Sequence, residues 1–476
     1  MDRIENRTFD ELQVGDTVSV ARTLTHKDIE LFAVMSGDVN PAHLDEEYAK
    51  SDMFHKIIAH GMWGGAMFSM VMGTQLPGPG GIYLGQSLRF RRPVGLGDTI
   101  TFSVKVLEKI AEKSRLVLDC QAINQNGELV MSGTAEVIAP NEKISRERVM
   151  LPEVKLLEKG RHYRRLIEQA RKFPPVRTAI VHPVDSQSLL AAIAAAQAQL
   201  IEPVLVGPAA KIRAAAEQAQ VDISHYDLIP TEHSHAAAEC AVALAREKRV
   251  GALMRGSIST EELMRFVDSP MSLRTGRAIS HVFAMDVPSF PRPLLLTDAV
   301  LNTAPTLELK RDIVQNAIDL ALTLGIETPR VAILSAQERV VAKLSSTLDA
   351  AVLCKMADRG QITGGILDGP LAFDAAISEQ AARMKGVESP VAGKADIFVV
   401  PNLEAGNIFI KELLYFADAQ VAGLVIGARV PVVLVSRTDD QLACLGSCAL
   451  ALLLSQPRGD EAKAGNRELE ALVGTV

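Results

Sequence analysis

The sequence predicts two domains of different class, an α+β domain followed by an α/β domain, and three observations support this. Residues 61–73 are apolar or small at nearly every position, which is typical of a helix buried on all sides, and alternating strands follow them. From Arg177 onward, short apolar runs alternate with alanine-rich helical windows, the pattern of a parallel sheet covered on both faces. Between these regions, residues 139–175 are polar and carry prolines near both ends.

The length and composition fit this division. A chain of 476 residues with 48 % hydrophobic residues can form two or three domains, each with its own core. We expect the first domain at residues 1–140, a linker with an exposed helix at 141–175, and the α/β domain at 176–476. Because about 300 residues is long for one parallel sheet, we expect two lobes with a cleft in that last part.

The charge and cysteine content exclude several partners. A net charge of −7 without a basic stripe argues against nucleic acid, and no apolar run reaches the ~20 residues that a membrane helix needs. Four of the first seven residues are charged and they contain no apolar core, so we expect no secretory signal there and a cytoplasmic protein. The five cysteines are scattered, and we interpret them as apolar core residues rather than metal ligands.

The most informative stretch of the first domain is residues 36–45, S-G-D-V-N-P-A-H-L-D. A capping box at Thr25 and Asp28 begins an amphipathic helix before it, and Gly37 is expected to end that helix. Asp38 and His43 then lie on one tight loop, where a carboxylate and an imidazole can share a proton and orient water. The alternative is that such a loop contains only turn formers that bond their own backbone.

The loop and two later stretches resemble the MaoC-like (R)-specific enoyl-CoA hydratases. The later stretches are residues 58–62, I-A-H-G-M, and residues 75–90, Q-L-P-G-P-G-G-I-Y-L-G-Q-S-L-R-F, and the resemblance covers about residues 8–140. It implies a hotdog fold, in which a sheet wraps one central helix. It also implies that Asp38 and His43 activate the water that adds to a trans-2-enoyl-CoA, and that the Gly61 N–H holds the thioester oxygen. Asn40 and Ser69 would lie in the substrate pocket.

The second half shows no dinucleotide fingerprint and no Walker-type phosphate loop. Short polar clusters instead follow several strands, where ligands of open α/β sheets bind. Ser259 and Glu262 form a capping box, which is either an ordinary helix start or a phosphate site. The clusters are residues 256–262, 273–276, 368–371, 401–408 and 436–439.

In this order, the clusters resemble the phosphate acetyl/butyryltransferase family across about residues 175–470, with L-R-T-G and S-R-T-D closer to the butyryltransferase branch. The family exchanges phosphate and coenzyme A on an acyl group. By this resemblance Ser436 and Arg437 stabilise the tetrahedral transition state and bind phosphate. The implied substrate-binding residues are Ser259, Thr260 and Arg265 on the phosphate side, Asn402 and Asn407 on the cleft wall, and Arg274 and Asp439.

One position departs from the family. The acetyltransferase branch has an Asp, proposed to take the thiol proton, seven residues after the Ser, and Ala443 stands there in this chain. Asp439, Asp440 or another base would have to serve.

We therefore interpret the chain as a fusion of two acyl-CoA enzymes. Their substrates would be coenzyme A thioesters and phosphate, with no cofactor and no metal. The alternative is a second half that senses acyl-CoA or mediates oligomerisation without catalysis. Because a hotdog domain usually covers its sheet with a second copy, we expect a homo-oligomer.

Overall fold

The computed structural model describes residues 3–157, 159–270, 272–434 and 440–456. The chain divides into two compact units, Met1–Leu156 and Leu157–Val476. None of the described helices combines the length and the apolar character that crossing a membrane requires.

From residue 3 to residue 156, the first unit contains seven strands and four α-helices. The strands are β1 (Arg3–Glu5), β2 (Thr17–Thr23), β3 (Ile82–Phe90), β4 (Thr99–Ile110), β5 (Arg115–Asn124), β6 (Leu129–Ile138) and β7 (Ser145–Glu147). The helices are α1 (His26–Ser36), α2 (Pro41–Leu44), α3 (Glu46–Ser51) and α4 (Gly61–Thr74), and a 3₁₀ turn (Glu112–Ser114) precedes β5.

A five-stranded antiparallel sheet in the order β2-β4-β5-β6-β3 packs against α4. Phe68 and Val71 of α4 are fully buried, and every second residue of β4 from Ile100 to Val106 is buried beside them. An added Cβ at Gly64 would lie very close to the terminal methyl group of Met131, so α4 packs closely against the sheet at this glycine. The predicted α+β class and hotdog arrangement are confirmed.

The second unit contains eleven strands and eleven helices among its described residues. The strands are β8 (Val176–Val181), β9 (Ile201–Gly207), β10 (Asp227–Pro230), β11 (Ala252–Arg255), β12 (Ser280–Asp286), β13 (Leu294–Thr297), β14 (Arg330–Leu334), β15 (Ile366–Leu371), β16 (Ile397–Val399), β17 (Gln420–Ile426) and β18 (Val432–Val433). The helices are α5 (Arg161–Ala170), α6 (Ser186–Gln197), α7 (Ala209–Ala219), α8 (Ser234–Arg246), α9 (Thr260–Val267), α10 (Leu307–Thr323), α11 (Ser345–Asp358), α12 (Phe373–Ile377), α13 (Glu379–Met384), α14 (Leu403–Phe416) and α15 (Gln441–Leu454).

The strands of this unit form one sheet in the order β10-β9-β8-β11-β18-β17-β12-β13-β16-β14-β15. The first five are mutually parallel, the last four are mutually parallel, and the antiparallel strands β17 and β12 join the two blocks. The α/β class is thus confirmed, and the two expected lobes correspond to two parallel blocks of one continuous sheet.

The helix expected in an exposed linker is a packed element of the second unit. One face of α5 buries Tyr163, Ile167 and Ala170 against the core of that unit. The Tyr163 hydroxyl donates to the carbonyl oxygen of Ala284 and lies 3.1 Å from that of Gln420. Charged residues dominate the composition of α5, but its apolar residues recur every three or four positions and form a buried stripe.

Candidate functional site

Local capping fixes the loop that carries Asp38. The Thr25 hydroxyl and the Asp28 carboxylate form the predicted capping box of α1, and Gly37 ends that helix at φ 76°. Immediately afterwards, the Asn40 side chain accepts a hydrogen bond from the Ala42 N–H and starts α2, with Pro41 as its first residue. Asp38 therefore lies between one helix end and the next helix start, on a short and constrained backbone.

Two histidines converge on Asp38. His43 Nδ1 is 2.9 Å from the Ile58 carbonyl oxygen, which fixes this nitrogen as the donor and leaves Nε2 as a proton acceptor. His60 Nε2 is 3.0 Å from the Asp38 carbonyl oxygen, and the two imidazole rings lie 3.9 Å apart. One side-chain ligand atom from each of the three residues lies within 4.8 Å of the others. This arrangement suits proton transfer; it also suits a divalent cation, and the expectation of no metal stays a prediction.

A cavity of about 320 Å³ opens beside these histidines. His43, His60, Gly61 and the two arginines Arg91 and Arg92 form its polar part, and mostly apolar residues of the sheet, of α4 and of the neighbouring loops form the remainder. Gly61 is the first residue of α4, and the residue before it, His60, makes no side-chain cap hydrogen bond. The first backbone N–H groups of α4 are therefore suited to hold an oxygen that gains negative charge.

The other residues predicted for this pocket have different surroundings. Asn40 acts as the cap of α2. Ser69 is exposed, and the residues that line the cavity do not include it. The exposed side of α4 also carries Met62, which is 57 % exposed, and the edge strand β3 presents apolar side chains such as Ile82 and Phe90. The structure thus brings Asp38, His43 and Gly61 together and leaves Ser69 apart.

The second candidate site lies at the point of the sheet where successive strands stop being added on one side of β8 and start being added on the other. The chain runs outward from β8 through β9 to β10, while β11 pairs on the opposite side of β8, so ligands are expected near the ends of β8 and β11. Ser259 follows β11 and caps α9, accepting from the Glu262 N–H at 3.1 Å. β18 runs parallel to β11, with Val433 opposite Met254, so the two strands end at the same edge.

A cavity of about 440 Å³ lies near this edge. Thr260, one of the predicted phosphate-binding residues, lines it together with Arg255, Lys411 and Asp440. The predicted residues Ser436, Arg437 and Asp439 lie outside the described part of the chain, but Leu434 and Asp440, which flank them, both line the cavity. Ala443, which stands where the family pattern has an Asp, lines it as well.

The remaining predicted residues do not line this cavity. Arg265 and Arg274 are exposed and form ion pairs with Glu261 at 2.7 Å and with Asp268 at 3.1 Å. The Asn402 side chain caps α14 by accepting from the Ala405 N–H, and Asn407 is exposed on the same helix. These four residues stay predictions.

Three residues of the two sites were missed from the sequence. His60 belongs to the motif at residues 58–62, but nothing in the sequence indicates that its ring lies beside that of His43. Arg255 directly precedes a polar cluster, a position that could have identified it. His281, a titratable residue of β12, lines the 440 Å³ cavity and is only 1 % exposed.

Comparisons with known proteins match both units. Family models match residues 12–121 as "MaoC like domain" and residues 237–452 as "Phosphate acetyl/butaryl transferase". A curated "Phosphate acetyltransferase" from Rhizobium meliloti is 56 % identical over 297 residues, which are 62 % of this chain and 94 % of that protein. A "Phosphate butyryltransferase" from Clostridium acetobutylicum is 40 % identical over 59 % of this chain and 93 % of its own length. Relatives of both branches thus match this chain, and the closer likeness of its two motifs to the butyryltransferase branch stays a prediction.

A solved structure resembles the second unit. The branched-chain phosphotransacylase from Enterococcus faecalis V583 is 28 % identical, with a TM-score of 0.52, and covers 59 % of this chain and 99 % of its own.

Proposed function

Because this chain belongs to the phosphate acetyl/butaryl transferase family, we propose that its second unit exchanges phosphate and coenzyme A on an acyl group. The observation that carries the proposal is the cavity that Arg255, Thr260 and Lys411 share. Two cationic side chains and a hydroxyl that line one cavity suit a phosphate dianion and the oxyanion of a thioester under attack. No resident cofactor is required for such a transfer, and a cytoplasmic location is part of the proposal.

Assays of the purified protein with acetyl-CoA, butyryl-CoA and phosphate test this function. We expect acyl phosphate and free coenzyme A as products. Replacing Arg437 with glutamine should cost on the order of 2–4 kcal/mol in transition-state stabilisation, because a charged donor is lost. A protein that binds acyl-CoA but forms no acyl phosphate would instead support the sensor alternative.

We also propose that the first unit hydrates trans-2-enoyl-CoA to the (R)-3-hydroxyacyl-CoA. Its support is the cluster of Asp38, His43 and His60 beside an apolar cavity, together with the match to the MaoC-like family. His43 Nε2 and the Asp38 carboxylate would take a proton from water as its oxygen adds to C3, and the same pair would return a proton to C2. The first amides of α4 would stabilise the charge on the thioester oxygen. Hydration of crotonyl-CoA, followed at the enoyl absorbance, tests this activity.

A second copy of the chain is the proposed cover of the exposed side of α4 and β3. β3 is an edge strand of the sheet, so one side of its backbone is not paired with another strand, and several of its apolar side chains are exposed to solvent. Ser69 lies on this exposed side, so a partner could bring it into an enclosed pocket. Light scattering of the parent protein and of Leu84→Glu, a change on β3, tests the proposal: the variant should dissociate.

A further inference from the structure

His281 lies in the 440 Å³ cavity of the second unit because successive side chains of β12 face opposite sides of the sheet. Val282 and Ala284 point into the main core of that unit. Because side chains alternate along a strand, His281 and Phe283 face the opposite side of the sheet. Both of these side chains line the cavity, and their rings are 4.3 Å apart. β12 thus places a titratable side chain in the cavity, between two core-facing neighbours.

The imidazole of His281 is enclosed but has no hydrogen-bond partner in the described structure. Its Nδ1 is buried and unpaired, although buried nitrogens in proteins are nearly always bonded. Its Nε2 lies over Gly423, where an added Cβ would approach to 2.6 Å, and Gly423 lines the same cavity. The imidazole of His281 can therefore accept a proton, and it lies beside the space where a ligand would bind.

Within the described part of the chain, two carboxylates near the ring, those of Asp298 and Asp440, already accept hydrogen bonds. Asp298 accepts four hydrogen bonds, and none of them comes from the imidazole of His281. The donors are the backbone N–H groups of His281, Val300 and Leu301 and the side chain of Asn302. Asp440 caps α15, with one oxygen 2.7 Å from the Ala443 N–H and the other 2.9 Å from Gln420 Nε2. Both carboxylates are thus held by hydrogen bonds, whereas the His281 ring is not.

We propose that His281 is the proton acceptor of the acyl-transfer reaction, in the role that an aspartate at position 443 would have. This inference rests on the proposed transferase function. In the direction of acyl-CoA synthesis, the sulfur–carbon bond forms and the carbon–oxygen bond to phosphate breaks. The thiol proton passes to the His281 ring and then to the departing phosphate oxygen, so the ring ends neutral and no further reactant is needed.

The charges around the ring favour this sequence. In the empty cavity, burial lowers the pKa of His281 to about 4, against the opposing effect of Asp298, so the ring is neutral and able to accept. The other titratable groups facing the cavity are Arg255, Lys411, Tyr415 and Asp440. A bound acyl phosphate adds negative charge to this set and favours the protonated ring. The ring thus becomes a stronger base only when the substrate is present.

The test compares His281→Gln with the parent chain, using acetyl phosphate and coenzyme A between pH 6 and 8.5. At pH 7 the variant should lose on the order of 10²-fold in kcat, the scale of a lost general base. Its rate should then rise about tenfold per pH unit, because only preformed thiolate reacts. The KM for acetyl phosphate should stay close to that of the parent. Adding Ala443→Asp to the variant should recover at least about tenfold, since a carboxylate then faces the same cavity.

The matched control is His162→Gln, which changes a histidine of α5 that is bonded to Asp286, the last residue of β12, and does not line the cavity. It should keep the parent rate at every pH. An equal loss at all pH values for His281→Gln, without rescue by Ala443→Asp, would overturn the inference. If glutamine impairs folding, seen by circular dichroism, His281→Asn is interpreted by the same criteria. A parent chain that makes no acetyl-CoA would refute the transferase function itself, whereas an active parent with an equally active variant would refute His281 alone.

Discussion

The two candidate sites obtain their geometry in opposite ways. In the first unit, residues 38–61 supply the carboxylate, both imidazoles and the helix start, and short-range capping holds them. In the second unit, the cavity residues come from β11, β12, α14, β17 and the start of α15, which are distant in the chain and joined only through the sheet. His43 is half-buried with one nitrogen bonded to Ile58, whereas His281 is enclosed and unbonded. The geometry of the first site therefore depends on one short segment of the chain, whereas that of the second site depends on correct folding of the whole unit.

The largest expected effect tests the locally built site. Asp38→Asn and His43→Gln should each lower the kcat for crotonyl-CoA hydration by on the order of 10² or more, because a proton-transfer group is lost. Acetyl-CoA formation by the same preparations should not change, which serves as the control. Parent-like hydration by a folded Asp38→Asn protein would remove the carboxylate from the mechanism.

A pH-dependent loss of stability should distinguish the enclosed histidine from the half-buried one. The pKa of His281 is about 4 in the folded chain and 6.5 as its ordinary value, so between these values the unfolded chain binds an extra proton. The free energy of unfolding of the second unit should therefore fall as pH drops from 6.5 to 4, with a contribution on the order of 3 kcal/mol from this group. Urea titrations at pH 7 and 4.5 measure it.

His281→Gln should remove that contribution, while His43→Gln should leave the pH dependence of the second unit unchanged. If the free energy of unfolding depends on pH identically in the parent and in His281→Gln, folding does not lower the pKa of the His281 ring.

A smaller effect tests which predicted phosphate residues belong to the assembled site. Thr260→Val should raise the KM for phosphate roughly three- to tenfold, the equivalent of one neutral hydrogen bond. Arg265→Gln is the matched control on the same helix, since Arg265 is exposed and paired with Glu261. If the control raises KM more than Thr260→Val does, the assignment of the two residues should be exchanged.

The smallest effect is expected from separating the units. Fragments 1–156 and 157–476 should each keep their kcat within about twofold, since each has its own core. A fragment beginning at residue 176, the boundary expected from sequence, should aggregate because it lacks Tyr163 and Ile167 of α5. Soluble, active protein from residue 176 onward would show that α5 is dispensable.

The accuracy of the sequence interpretation follows the same division. The capping box of Thr25, the stop at Gly37 and the burial of α4 were predictable because each depends on residues within a few positions. The cavity around His281, Gly423 and Ala443 was not predictable, since only strand pairing brings these positions together. Asn402 and Arg265 matched a family pattern, but a helix cap and a surface ion pair satisfy both in this structure.

The uncapped start of α4 links substrate binding to the stability of the first unit. Helices α1, α2 and α3 begin with a side chain that accepts from a backbone N–H, and α4 does not. A missing cap of this kind typically costs a helix about 0.5–2 kcal/mol. If the thioester oxygen binds those amides, the substrate itself serves as the cap, and saturating acyl-CoA should raise the melting temperature of the first unit by mass action. Helix α4 would then be fully capped only while the enzyme holds its substrate.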